Sequence, residues 1–221
     1  YDAENDQLKT FDMLENFVSG LKINHDKLFC FGEPSIEIPK KAEAIKANVI
    51  VMGTAGLTGF SHRLLGSTAE YVMRHATIPV ITISPLCTSP RRLEENRVLI
   101  PLADVEHAPH DTKVMKEIVD ELRAEVNLLH VVSYSERMYQ VKSEILPFHA
   151  TTFETNETNR KLREIGELAF GSTIVTTSVD FGDVDAGILR EAGSELYDFI
   201  LMGAHPEHLI GLFTNSKGYN I

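Results

Sequence analysis

The 221-residue sequence predicts an α/β chain of two tandem, open, mostly parallel five-stranded sheets with helices on both faces. Three observations predict it. Apolar runs rich in Val, Ile and Leu alternate with segments of helical periodicity. One strand-helix-strand pattern recurs 150 residues downstream of itself. Glycines stand at the ends of the apolar runs. A parallel strand is covered by helices on both faces, so it reads as a continuous apolar run, and alternation with helices is the mark of crossover units.

The repeat orders the elements. Shifting the sequence by 150 positions lays Phe31-Gly32-Glu33 on Phe181-Gly182-Asp183, Ala42 on Ala192, and Met52-Gly53 on Met202-Gly203 without a gap. Each copy predicts a short strand ending in Phe-Gly, a helix over 35–47 or 185–197, and a second strand closing in Met-Gly. Upstream of this unit the second copy adds a strand at 97–102, a helix at 109–124 and a strand at 126–132. Downstream, the first copy adds a helix from Ser67 to Arg74 and a last strand at 78–83. Tyr1 aligns with Thr151, and Ile221 with Tyr71. The first domain is thus expected to lack its N-terminal strands and the second its last strand, a tandem pair truncated at both ends. The boundaries expected are 1–84 for the first domain, 85–96 for a linker carrying Pro85 and Pro90, and 97–221 for the second. Residues 133–158 are polar, include Pro147, and predict a mobile insertion before helical periodicity resumes at 159–170.

Composition narrows the function classes. A net charge of −11 argues against wrapping a nucleic-acid backbone, because such affinity rests on clustered Lys and Arg. The longest apolar runs, such as 48–52 and 78–83, fall far short of the ~20 residues of a membrane helix. Two cysteines, Cys30 and Cys87, and no visible secretory signal make the cytoplasm the expected compartment.

Chemistry concentrates in one loop. The strand at 49–52 ends in Gly53, then come Thr54, Ala55 and Gly56, nine residues, and Gly66-Ser67-Thr68 at the start of a helix. Ala69, Val72, Met73 and Ala76 fall on one face of that helix. A phosphate needs backbone N–H groups it can approach closely, and glycine removes the Cβ that would block it. The unpaired N–H groups at a helix mouth, with the hydroxyls of Ser67 and Thr68, make such a cradle. The bland alternative is a strand terminator followed by an ordinary helix cap.

Gly-x-x-Gly, nine residues, Gly-Ser resembles the ATP-binding signature of universal stress proteins, and the chain matches it at Gly53, Gly56, Gly66 and Ser67. The flanking Asn48-Val49-Ile50-Val51-Met52 and Ile78-Pro79-Val80 resemble that family as well, and Arg97-Val98-Leu99-Ile100-Pro101 resembles its first strand. The resemblance implies a Rossmann-like, adenine-nucleotide alpha-hydrolase-like fold. It implies ATP as ligand, with Met52 and Gly53 near ribose and Gly56, Gly66, Ser67 and Thr68 around phosphate; whether Mg2+ accompanies it stays open. It also implies pairing through the last strand, as a homodimer or as a pseudo-dimer within the chain. ATP-binding members carry an Asp just after the first strand. The second domain has Ala103 there, with Asp104 one residue late. Its loop keeps Gly203 but places Pro206 at the second glycine and, after a one-residue deletion, Asn215-Ser216 at the Gly-Ser pair. Proline has no N–H and a fixed φ, so weak or no ATP binding is expected there.

Other residues invite chemistry. Asp104, Glu106, His107, His110 and Asp111, with His205, Glu207 and His208, fall at strand ends of the second domain and could ligate a divalent metal; acidic residues at a helix start are the plainer explanation. His62 and Arg63 lie in the nine-residue spacer and could touch phosphate. No Walker-type loop and no G-x-S-x-G elbow occurs, so no catalytic residue is assigned and slow ATP hydrolysis is the most that is expected. The expected function is a regulatory, nucleotide-binding stress-response module. A dimerisation scaffold that binds no nucleotide is the alternative, and an adenylating enzyme on the same fold a third.

Overall fold

A computed structural model of the chain describes residues 23–54, 66–84, 96–106, 112–133, 148–194 and 196–203, with isolated positions between 9 and 20. The chain forms two compact units, Tyr1–Ile83 and Ser84–Ile221. Both are α/β.

The first unit runs α1 (Pro34–Ala44), β1 (Ile50–Gly53), α2 (Ser67–His75) and β2 (Val80–Ile83). Pro34 opens α1 where its missing N–H costs nothing, behind Glu33 in an extended conformation. The helix ends with Lys46 at φ 55°, whose N–H donates to the Glu43 carbonyl while the Ala47 N–H donates to that of Ala42. β1 and β2 are parallel and in register from Ile50↔Val80 to Gly53↔Ile83. One face of this pair packs Ile50, with Met52 and Val80, against Ala42 of α1 and Val72 of α2. On the other face Val51, Ile81 and Ile83 are exposed.

The second unit runs β3 (Arg97–Pro101), α3 (Thr112–Leu122), β4 (Glu125–Ser133), α4 (Phe148–Phe170), β5 (Val175–Gly182), α5 (Val184–Ala192) and β6 (Phe199–Ile200). All four strands are parallel in the order β5-β4-β3-β6. Val98, Ile100, Val126 and Leu128 line the sheet face that α3 and α4 cover with Met115, Val119, Leu162, Ile165 and Phe170. Leu99, Leu129 and Val131 line the opposite face, against Ile188 of α5. Strand order reverses between β3 and β6, and in open α/β sheets ligands bind beyond the carboxyl ends of the strands at such a switch point.

Several expectations are corrected. Among the described residues the second sheet holds four strands, as expected of a domain without its last one, while the first holds two where three were expected. The first copy's strand into Phe31-Gly32 does not form: residues 23–31 have no regular structure, and Phe31 is 81% exposed. Its counterpart β5 is held by a long ladder to β4, from Val126↔Val175 to Ser133↔Gly182, and among the described residues 23–31 have no such ladder. A strand without a ladder partner leaves its N–H and C=O groups to water. The turn into the helix survives nonetheless, since Gly32 and Gly182 share φ near +135°, at 138° and 133°. α4 begins at Phe148, so the expected insertion is helical over its last residues, while 134–147 lie outside the described residues. Helices expected at 35–47 and 185–197 stop at Ala44 and Ala192.

Candidate functional site

The site expected from the glycine pattern is built at the carboxyl end of β1. Gly53 is its last residue, opposite Ile83. Thr54 follows, and its N–H donates to the Ile83 carbonyl at 3.0 Å. The Gly66 N–H donates to the Thr54 carbonyl at 2.5 Å, which brings the start of α2 to the strand end. Gly66 is the N-cap, extended at φ −76° and ψ 150°, and having no side chain it offers the helix no side-chain cap. The helical ladder begins with the Glu70 N–H donating to the Gly66 carbonyl, so the N–H groups of Ser67, Thr68 and Ala69 find no acceptor within α2. Ser67 is exposed, and Gly66 and Thr68 are half-buried.

Gly53, Gly66, Ser67 and Thr68 are therefore together. Gly56, His62 and Arg63 lie outside the described residues. Met52 packs into the core with Ile50 and Val72, leaving only its main chain for the edge of the sheet. The donor set, three amides on a helix macrodipole with two hydroxyls beside them, suits an anion such as phosphate.

A profile of the universal stress protein family matches residues 13–84 and, a second time, residues 96–216. The chain belongs to the universal stress protein family. It carries two tandem domains of that type. Over 64 residues it is 47% identical to a universal stress protein of Methanocaldococcus jannaschii, a stretch that is 29% of this chain and 36% of that protein. Over 54 residues it is 43% identical to universal stress protein E of Escherichia coli, covering 24% of this chain and 17% of that protein. The matches thus span about a third and a sixth of those relatives' lengths. A crystal structure of a universal stress protein from Archaeoglobus fulgidus superposes with a TM-score of 0.63 at 18% identity, covering 95% of this chain and 70% of the other, which shows a shared fold.

In this tandem universal stress protein the second crevice is differently furnished. Ala103 and Asp104 follow β3, and both are exposed. Asp104 Oδ1 accepts the Glu106 N–H at 2.7 Å, and the Glu106 carboxylate pairs with Lys161 of α4. Among the described residues no group of three or more His, Cys, Asp or Glu is placed to hold a metal ion. His107, His110, Asp111, His205, Glu207, His208, Pro206, Asn215 and Ser216 lie outside the described residues. No helix among the described residues is long and apolar enough to cross a membrane.

Three further residues make polar contacts that no sequence motif marks. Thr54 closes the base of the first loop. His130, 7% exposed, shares a hydrogen bond with the Leu102 carbonyl at 2.9 Å, just below the second crevice. Asn127, 8% exposed, donates to Ser178 Oγ at 2.9 Å and to the Tyr197 hydroxyl, while Tyr197 donates to Glu191 at 2.5 Å. Burial and the bond to Glu191 push the Tyr197 phenol up to about 12. The available signal was a polar residue inside an otherwise apolar strand, which both Asn127 and His130 are.

Proposed function

We propose that the first domain, residues 1–84, binds an adenine nucleotide, ATP, and that the chain works as a regulatory module of a stress response with at most slow hydrolysis. Residues 85–96 are the linker and 97–221 the second domain in this reading. In this reading Gly56, Gly66, Ser67 and Thr68 lie around the phosphates, and the main chain at Met52 and Gly53 lies beside ribose. The observation that carries it is the placement of Gly66-Ser67-Thr68, at the mouth of α2, against the end of β1 through the Gly66 to Thr54 hydrogen bond. Bound ATP adds its triphosphate to the helix dipole and to amides that have no acceptor within α2. The order it imposes on the loop is the signal in this reading. No catalytic residue is assigned in this reading.

Calorimetric titration with ATP tests this, with Gly66→Asp as the control. A carboxylate at the N-cap sits where the phosphates bind, and it should lower ATP affinity by at least tenfold, about 1.4 kcal/mol. Unchanged affinity removes the loop from the site.

A scaffold that pairs through β2 is the second reading, favoured by the exposure of Ile81 and Ile83 at 40% and 51%. Apolar side chains on a strand with a free edge invite another strand. Sedimentation equilibrium with and without ATP separates the two: association that ignores nucleotide, in a protein that binds none, supports the scaffold.

A further inference from the structure

We propose that Thr54 is the positioning residue of the glycine loop, fastening both ends of the loop to the carboxyl terminus of β2; this rests on the nucleotide reading above. Regular pairing of β1 with β2 ends at Gly53↔Ile83. Thr54 takes the next rung, its N–H donating to the Ile83 carbonyl at 3.0 Å and its hydroxyl donating to the same oxygen at 3.5 Å. The carbonyl of Thr54 then receives the Gly66 N–H at 2.5 Å. The start of α2 is thereby tied to the residue that follows β1.

Two consequences follow for the ligand. The N–H of Gly66 is spent on the clasp, so the anion donors are the amides of Ser67, Thr68 and Ala69. Their position is fixed relative to β2 as well as β1, because Thr54 is bonded to both the strand end and the helix cap. Gly66 matters for the close approach of ligand to backbone and for the extended turn into α2. It does not matter as a donor.

The second copy shows what the clasp requires. The 150-residue shift places Ala204, which has no hydroxyl, opposite Thr54. β6 pairs only through Val98↔Phe199 and Leu99↔Ile200 among the described residues.

Amide hydrogen exchange on the full 221-residue chain tests the clasp without any ligand. The Gly66 amide should be protected in the wild type, and Thr54→Pro, which removes the N–H donor to Ile83, should release it while leaving the core amide of Val72 protected. A fast-exchanging wild-type Gly66 overturns the proposal. Titrations with ATP and with adenosine then test positioning. Thr54→Pro should lose about tenfold in ATP affinity, on the scale of one charge-assisted hydrogen bond, and keep its adenosine affinity. Thr54→Ser, which keeps every bond, should restore ATP binding. Equal loss for both ligands, or no loss for either, overturns the positioning role. Should Thr54→Pro fail to fold, Thr54→Gly takes its place, loosening the backbone while keeping the N–H; it must raise Gly66 exchange and weaken ATP more than adenosine, and if it does neither the proposal falls. A protected Gly66 in a wild type that binds neither ligand leaves the clasp standing as geometry, but it sinks the nucleotide reading and with it the positioning role.

Discussion

Tyr197 sits in the approach to β6 with its hydroxyl between Asn127 and Glu191, and burial followed by the Glu191 bond pushes its phenol from 10.0 up to about 12. In the unfolded chain the phenol ionises near 10; in the folded chain it stays protonated until about 12. Between these values the unfolded state binds fewer protons than the native one, so stability falls as pH rises through that window. Below pH 10 the contribution is fully present. Tyr197→Phe should therefore flatten the loss of stability between pH 10 and 12, as read by urea midpoints of variant and wild type at each pH. A difference between the two proteins that does not change with pH would show that Tyr197 does not titrate in this window. At this scale the sequence told most about residues whose backbone does the work. The nearness of Gly53 to Gly66, Ser67 and Thr68 was legible because a glycine spacing after an apolar strand constrains what the main chain can do. Thr54 was not legible, because it acts through its N–H and C=O, which every residue but proline possesses.

Helix-to-sheet contact sets the limits on each element. A Cβ on Gly166 of α4 would come within 2.7 Å of Val175 Cγ1 and 3.3 Å of its Cβ. Val175 belongs to a strand and carries a β-branched side chain with few rotamers, so it cannot swing aside. Gly166→Ala should then push α4 off the sheet and cost about 1–3 kcal/mol, as overpacked cores do. Chemical denaturation followed by far-ultraviolet dichroism reads this directly, and a variant as stable as the wild type would mean that α4 slides without loss. Strands were the most legible elements. Residues 97–102 and 126–132 were expected and β3 and β4 were found, because strands buried on both faces leave a continuous apolar signature. The strand into Phe31-Gly32 was expected on the evidence of its twin and is absent, since a ladder partner is a property of the fold and not of the strand itself. Helix ends were read too long. α1 and α3 close on Lys46 and Arg123 at φ 55° and 50°, where a glycine would have announced the stop.

For the whole molecule the repeat was the most informative feature, because a 150-residue shift links two domains that share few identical residues. The family profile matching twice is the independent sign of the same duplication. Duplication leaves each copy free to keep or lose its ligand, and the two loops have diverged at the positions where backbone chemistry is least forgiving. The first retains both glycines before the spacer and Gly66-Ser67 after it. The second has Pro206 at its second glycine, which removes an N–H and fixes φ near −65°. Asn215 aligns with Gly66 after a one-residue deletion, and asparagine carries the Cβ that glycine lacks. One nucleotide per chain is the expected stoichiometry. Calorimetry at protein concentrations well above the dissociation constant reads it, and Gly66→Asp should take the value from one toward zero. Two sites per chain, or one site that survives Gly66→Asp, would place nucleotide binding in the second domain. In that case a proline-containing loop would have to cradle phosphate with side chains in place of the lost amide, and Asn215 and Ser216 would become the residues to mutate.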